Sequence, residues 1–403
     1  MRTLGQLICG GLLLLVLYLN TKLFYEPQPA PEGAYPLNQE VVSQLQFLRG
    51  EIHQGAGAEM QELYPEGFVY LNALYALAWI ELLPHTAPGS ALQQEARTEA
   101  QWALRELQAP AAQLTFDADL PLPLGAFYQG WSAYCAGRYL AALPPSQRDS
   151  AELGRFRRQC ALIAGALSSS SSPYLESYAG AAWPADGVMG AAALAWHDRL
   201  QPPQYGSLLK EWMRKVRQQL DAQSLIPHSV QATTGLVQEP ARGSSQSQLL
   251  NFLVEIDSTF AHQQFRQYSR LFLTRRLGLP GVQESAIGAP PTEGIDSGPV
   301  IWGVGGAASL VGRRTMQRFQ DTTTAVGLRN SIEAFGLPWH GTAGKFYLGG
   351  QLPIADAFIA WSNSLEPHKP LHAAFGWRTA FQLLSAAVMA LLLVPLWFTR
   401  RRQ

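Results

Sequence analysis

Cysteine is scarce in this chain: three residues among 403, at positions 9, 135 and 160, with no CxxC pair. That spacing excludes a cysteine-based zinc site. No HExxH or similar histidine grouping is present either, so the motifs point to no metal, and no cofactor is expected. Charge is sparse as well. Charged residues make up 15% of the chain, and 30 basic residues balance 30 acidic ones. No basic run stands outside the C-terminal tip, which excludes nucleic acid as a natural partner. So little charge fits a large core or contact with a membrane.

What the chain does have begins at its ends. Leu4 to Leu19, LGQLICGGLLLLVLYL, reaches transmembrane length if it continues towards Phe24. Only NTKLF follows it, with no small-x-small cleavage site, so residues 1–24 read as a retained anchor. Cys9 sits too early for a lipoprotein signal and reads as a thiol facing lipid or a neighbouring helix. A second run, Thr379 to Thr399, lies in the segment 376–399 and meets Arg400-Arg401-Arg402 in the basic tip 400–403. Basic residues mark the cytoplasmic side. With Arg2 also inside, both termini are expected in the cytoplasm of an inner-membrane protein. Residues 25 to 378 then lie outside, in the periplasm of a bacterium. The other reading of the C-terminal run is a buried core helix.

Residues 25–37, YEPQPAPEGAYPL, form a Pro-rich spacer. After it the periodicity predicts twelve helices, over about 38–54, 66–83, 90–108, 124–142, 149–168, 184–198, 205–221, 243–255, 257–277, 297–312, 314–335 and 354–364. The odd members are amphipathic. The even members, such as GFVYLNALYALAWIELL and GVMGAAALAW, are apolar on every side. A helix with no polar face must sit inside a layer of others. Two concentric rings satisfy the alternation, so residues 38–370 are expected to form an all-α (α/α)6 toroid. GKFYLGGQLP at 344–353 reads as a small β-hairpin.

The connections alternate too. Those leaving the apolar helices are short, and those entering them are mostly long, which in a compact domain usually signals function. The long ones gather at one end, over the N-termini of the inner helices, and the site is expected there. Pro184-Ala-Asp186 opens the sixth helix with an acid in its first turn. Asp296 precedes Ser297-Gly298-Pro299 at the expected start of the tenth. Each of these acids reads either as a helix cap or as a buried general acid or base, and paired carboxylates across a pocket serve acid/base work. Glu176 is a third candidate. Tyr178, Trp183, Tyr128, Trp131, Trp302 and Tyr347 crowd the same end and suit a flat apolar or sugar-like ligand. Arg242, near Glu239, stands before a Ser/Gly-rich helix start that suits an anionic group. His228 and His340 lie in connections at the same end and are candidates for proton transfer. Cys135 and Cys160 fall on consecutive helices, and a bridge, two inert buried thiols or a catalytic thiol all remain open.

The phrases YLESYAGAAWPADGVMGAAAL, EPARGSSQS, GIDSGPVIWGVGGAASLVG and KFYLGGQLPIADAF, in this order over roughly 170–360, resemble helical-toroid domains of the linalool dehydratase/isomerase family. The resemblance implies an (α/α)6 fold with a cavity at the loop end. It also implies cofactor-free lyase and isomerase chemistry on a small terpene alcohol through acid/base groups and cysteines. The family's cysteines do not carry over to Cys135 or Cys160. The resulting expectation is a membrane-anchored envelope enzyme of lyase, isomerase or glycan-active type. Its catalytic groups would be Asp186, Asp296 and Glu176, and its substrate a glycan or lipid-like alcohol. The alternative is a non-catalytic toroid, a binding or scaffold subunit of an envelope assembly. Partners would be the bilayer, a small molecule or glycan, and envelope proteins or a second copy.

Overall fold

The computed structural model describes residues 2–27, 37–291, 298–365 and 371–400, with side chains in the terminal helices over 4–27 and 371–394. Within these the chain is mostly helical. An N-terminal helix α1 (Arg2–Lys22) leads to α2 (Gln39–His53), α3 (Ala56–Leu63), α4 (Gly67–Leu82), α5 (Ala91–Glu106), the short α6 (Pro110–Gln113), α7 (Gly125–Ala142) and α8 (Ser150–Ser169). Then come α9 (Pro184–Leu200), α10 (Gly206–Gln218), α11 (Gly243–Ile256), α12 (Ser258–Phe272), α13 (Gly306–Arg318), α14 (Thr322–Phe335), α15 (Pro353–Ser364) and α16 (Thr379–Arg400).

Six of these close a ring. In order, α4 packs on α7, α7 on α9, α9 on α11, α11 on α13, α13 on α15, and α15 returns to α4. Outside it stand α2, α5, α8, α10, α12 and α14, each against the inner helix next to it in sequence. This is the arrangement of an α/α toroid. Sequence explains who goes where. α4 and α9 are buried along nearly their whole length, as helices without a polar face must be. The outer α10 and α12 bury only one stripe. The axis is packed with rings. Trp131 lies 5.3 Å from Tyr70 and 5.8 Å from Phe252, and Phe252 stacks on Trp361 at 6.0 Å.

The two kinds of helix also start differently. Asn38, Ser90, Asp149, Asp257 and Asp321 accept hydrogen bonds from the first-turn N–H groups of α2, α5, α8, α12 and α14. None of the six inner helices is capped by the side chain of its own N-cap residue. Their first-turn N–H groups and positive dipole ends converge on one end of the ring, referred to below as the mouth.

Small antiparallel sheets decorate that same end. β1 (Ala181–Ala182), before α9, pairs with β2 (Ser229–Gln231), which pairs with β3 (Val237–Glu239), before α11. Three hairpins follow: β4 (Leu273–Arg276) with β5 (Leu279–Val282), β6 (Val300–Ile301) with β7 (Val304–Gly305), and β8 (Trp339–Gly341) with β9 (Gly344–Phe346).

Several expected boundaries need correction. The helix expected over 297–312 begins at Gly306, because VIWGVG turns back on itself as β6–β7. Trp302 and Gly303 occupy its turn at φ 50° and 82°, the left-handed pair that a two-residue hairpin requires. The next helix starts at Thr322 and not at 314, and α12 stops at Phe272, where β4 takes over. The hairpin expected at 344–353 lies at 339–346, and residues 348–350 form a 3-10 turn.

Among the described residues two helices are long and apolar enough to cross a bilayer, within Leu4–Lys22 and Gly67–His85. The second includes α4 and is 83% buried in the ring, so it is a core helix. In α16 the described apolar stretch is Thr379–Val394. α1 packs along α16 and against α14. Leu23, Leu279, Val326, Ala334, Trp377 and Phe381 form a second small core where these helices meet the toroid.

Candidate functional site

At the mouth, the connection into α9 lays its side chains across the starts of α4 and α7. The hydroxyl of Tyr178 donates to Glu66, the residue before α4. Its ring stacks on Phe116 at 5.9 Å and meets Trp183 edge-on at 5.9 Å. Burial, and then the Glu66 carboxylate, push the phenol well above its ordinary range, so it stays a neutral donor. Tyr178 is also within electrostatic reach of Asp186 and Tyr70. Asp186, in the first turn of α9, is 7% exposed and accepts from Ser177 Oγ at 2.6 Å. The hydroxyl of Tyr70 donates to Gln248 of α11 at 3.2 Å. Position 125 must be glycine for this packing. Its φ is +74°, and a Cβ there would lie 2.4 Å from the Ser177 carbonyl oxygen. The result is a phenol bonded to Glu66, with Asp186 within its electrostatic reach, at the positive ends of inner helices. Such a pair of carboxylates can take a proton at one atom and return one at another.

The other expected residues divide among different places. Asp296 lies outside the described residues, and the inner helix it was expected to open starts ten positions later, at Gly306. Glu176 accepts from the Gly180 N–H at 2.8 Å and so closes the turn that carries Tyr178. Tyr128 donates to the Leu107 carbonyl at 2.8 Å, tying α7 to the end of α5. Trp131 is fully buried on the axis. Arg242 pairs with Glu239, and His228 meets Ser245 beside it. Burial, and then the Arg242 charge, bring that imidazole down to about 3, so it is neutral at physiological pH. Trp302 is 68% exposed at its hairpin tip.

Tyr347 belongs to a separate buried cluster, and His340, itself exposed, lies at its edge. Lys345 Nζ lies 2.7 Å from both Glu40 and Glu333 and 3.2 Å from the Tyr25 hydroxyl. Tyr347 donates to Glu333 at 2.6 Å, and His340 Nε2 is 3.4 Å from Glu40. This group lies between α2, α14 and β9. It binds the segment following α1 to the toroid.

Opposite the mouth, arginines gather at the negative ends of the inner helices. Arg314 Nη1 donates to Glu81 at 2.9 Å and to the Trp361 carbonyl at 2.6 Å. Arg138 and Arg318 share Glu255, which also accepts from Tyr134 at 3.0 Å and Trp196 at 2.8 Å. A cavity of about 370 Å³ opens there beside Glu81, Arg138, Trp196 and Arg318. Its charges neutralise one another and the helix dipoles, a sufficient structural reason for their presence. A second cavity, about 300 Å³, lies at the mouth end between the β4–β5 and β6–β7 hairpins, beside Arg276, Glu284 and Ile287.

Glu66, Tyr70 and Gln248 had no sequence signal. Each lies outside any motif, and their partners are more than 100 residues distant. Cys135 and Cys160 are both free and buried, so no bridge joins them. Burial pushes both thiols above their usual range. Among the described residues no three His, Cys, Asp or Glu side chains gather as a metal set.

No family model matches this chain, and no curated protein does. Among solved structures the chain is similar to the crystal structure of D-mannose isomerase, with 10% identity, 79% of this chain and 87% of that chain covered, and a TM-score of 0.44. The return of α15 to α4, and not this likeness, makes the fold a toroid.

Proposed function

We propose that the protein is a membrane-anchored enzyme of the cell envelope, held by α1 and α16, that moves protons on a small substrate at the mouth of the toroid. The reaction is of the isomerase or lyase type. The observation that carries this reading is the Tyr178 phenol bonded to Glu66 with buried Asp186 within its electrostatic reach. Glu66 and Asp186 act as the base and acid pair. One carboxylate takes a proton from the substrate, and the other, in its acid form, returns one to a neighbouring atom, so the proton count is unchanged over an isomerisation. Tyr178 is a positioning residue, a neutral donor that keeps Glu66 oriented. Trp183, Phe116 and Tyr70 offer flat apolar surface to the ligand. Asp296 and Glu176 remain proposed members of the same mouth. The motif resemblance to linalool dehydratase/isomerase domains supports acid/base chemistry without a cofactor.

One observation favours the rival, a non-catalytic binding subunit: the axis below the mouth is filled by Trp131, Phe252 and Trp361, which leaves the site shallow. Deuterium exchange separates the two readings. The full chain, purified with lipid, is incubated in heavy water with a metabolite extract. Carbon-bound label should enter one compound, and Glu66→Gln and Asp186→Asn should each slow this by about 100-fold or more. No label with the wild type, or equal label with both variants, would leave the binding reading standing.

A further inference from the structure

The exposed large apolar side chains of the toroid are unevenly placed. Among the described residues outside α1 and α16, Phe24 and Phe375 flank those helices and Leu162 lies on α8. All the others belong to the mouth end. They are densest on the β4–β5 tip and on the connections into α13 and α15, where Leu277, Ile301, Trp302, Leu337, Trp339 and Leu348 are between 46% and 68% exposed. The short connections at the opposite end carry none. An apolar arc with two tryptophans is what a protein presents at a membrane interface.

The terminal helices show which way that arc faces. The Tyr25 carbonyl meets Arg329, the Leu23 carbonyl accepts from Asn330 at 2.9 Å, and Tyr18 lies within electrostatic reach of Glu333. Going back along α1 therefore means going forward along α14, towards its C-terminal end at the mouth. The rest of α1 continues past that end. α16 leaves from the same place. Gly278, at the β4–β5 tip, sits so close to α16 that a Cβ would lie 2.7 Å from Ala380 Cβ. Exposed Arg275 and Arg276 stand beside the arc, and Arg276 donates to the Trp302 carbonyl at 3.0 Å. Across the ring, the connection into α7 instead exposes Asp117 and Asp119. The rim is thus apolar and basic on the side of the terminal helices, while the far side sets Asp117 and Asp119 beside exposed Leu114.

We infer that this arc lies in the headgroup layer of the bilayer that α1 and α16 cross, so that the mouth opens onto lipid and takes an amphiphilic substrate from it. The inference rests on the anchored-enzyme reading above. In this pose the tryptophans occupy the interface, the arginines meet lipid phosphate, and the far rim is lifted clear.

The test uses the full chain with Cys9→Ser, in vesicles of phosphatidylethanolamine and phosphatidylglycerol. A polarity-sensitive fluorophore is placed by Trp302→Cys, Trp339→Cys, Leu162→Cys or Leu12→Cys. A spin-labelled phospholipid should quench positions 302, 339 and 12 several-fold more than 162, and aqueous iodide should do the reverse. If 302 and 339 behave like 162 while 12 is quenched by lipid, the arc is in water and the inference falls, leaving the anchor intact. If position 12 is also aqueous, the anchored reading falls, and the inference with it. In the heavy-water experiment, label should appear in the chloroform-soluble fraction. Label confined to water-soluble compounds overturns the amphiphilic substrate, and absence of all label overturns the enzyme reading itself.

Discussion

Tyr178 and Glu66, 112 positions apart, are joined by a hydrogen bond from phenol to carboxylate at the mouth of the ring. The bond links the connection into α9 with the start of α4. Tyr178→Phe keeps the stacking on Phe116 and loses only the donor. Its expected cost is about 1 kcal/mol, a small fall in melting temperature. Deuterium exchange should fall further than stability does, because Glu66 loses its orientation. Calorimetry and exchange on the same preparation check the split. Equal loss of both would make the bond purely structural.

Glu81 gives the fold an acid-sensitive step. Burial alone would raise its carboxyl, but Arg314, and then Arg138 and Ser364, hold it down at about 2 against an ordinary 4.5. The unfolded chain takes up this proton first. The contribution is therefore complete above pH 4.5 and is lost as pH falls towards 2. Glu81→Gln should flatten that step. At neutral pH it should also destabilise by about 3–5 kcal/mol, because Arg314 is left buried without its partner. Unfolding midpoints measured at pH 3 and pH 7 test both.

Asp356 acts with the opposite sign. Burial pushes its carboxyl up to about 8 from an ordinary 3.8, although the Tyr347 N–H opposes this at 2.8 Å. The folded state keeps a proton that the unfolded chain releases, so stability falls as pH rises from 3.8 towards 8. Asp356→Asn retains an acceptor for Tyr347 and has nothing to ionise. Its melting temperature should gain on the wild type steadily from pH 5 to pH 8. A constant difference across that range would refute the assignment.

Cys135 and Cys160 should resist alkylation at pH 8 in the folded protein and react only after denaturation, because both are fully buried with their thiols pushed up. Mass spectrometry of alkylated peptides reads this directly. Cys135→Ala should retain deuterium exchange. Loss of exchange there, with folding intact, would bring back a thiol mechanism of the kind the linalool dehydratase/isomerase resemblance implies.

Much of the fold could be read from the alternation of helix types, because α4 and α9 have no polar face and have to be surrounded. The rule failed at α13. That inner helix carries Arg313 and Arg314, both buried, and so looks like an outer helix in sequence. Just before it, VIWGVGG looks like a buried helix, yet its Trp302–Gly303 turn makes it a hairpin. The place of Asp186 in the first turn of α9 could be read because a Pro and an acid at a helix start form a local pattern. Glu66 could not, since its meaning comes from a tyrosine more than a hundred residues away. The Lys345 cluster was invisible for the same reason: Tyr25, Glu40 and Glu333 converge on it from three separate segments.

The closure of α15 on α4 also has a consequence for biosynthesis. The flank of α4 that α15 covers is synthesised about 270 residues before its cover emerges. At about 5–20 residues per second, that helix, apolar enough to enter a membrane, waits some tens of seconds for its cover. In the membrane-anchored reading proposed above, the growing chain must therefore keep α4 out of the bilayer until the last inner helix arrives. Early packing of α5 and α7 against α4 is the first protection the order of synthesis provides.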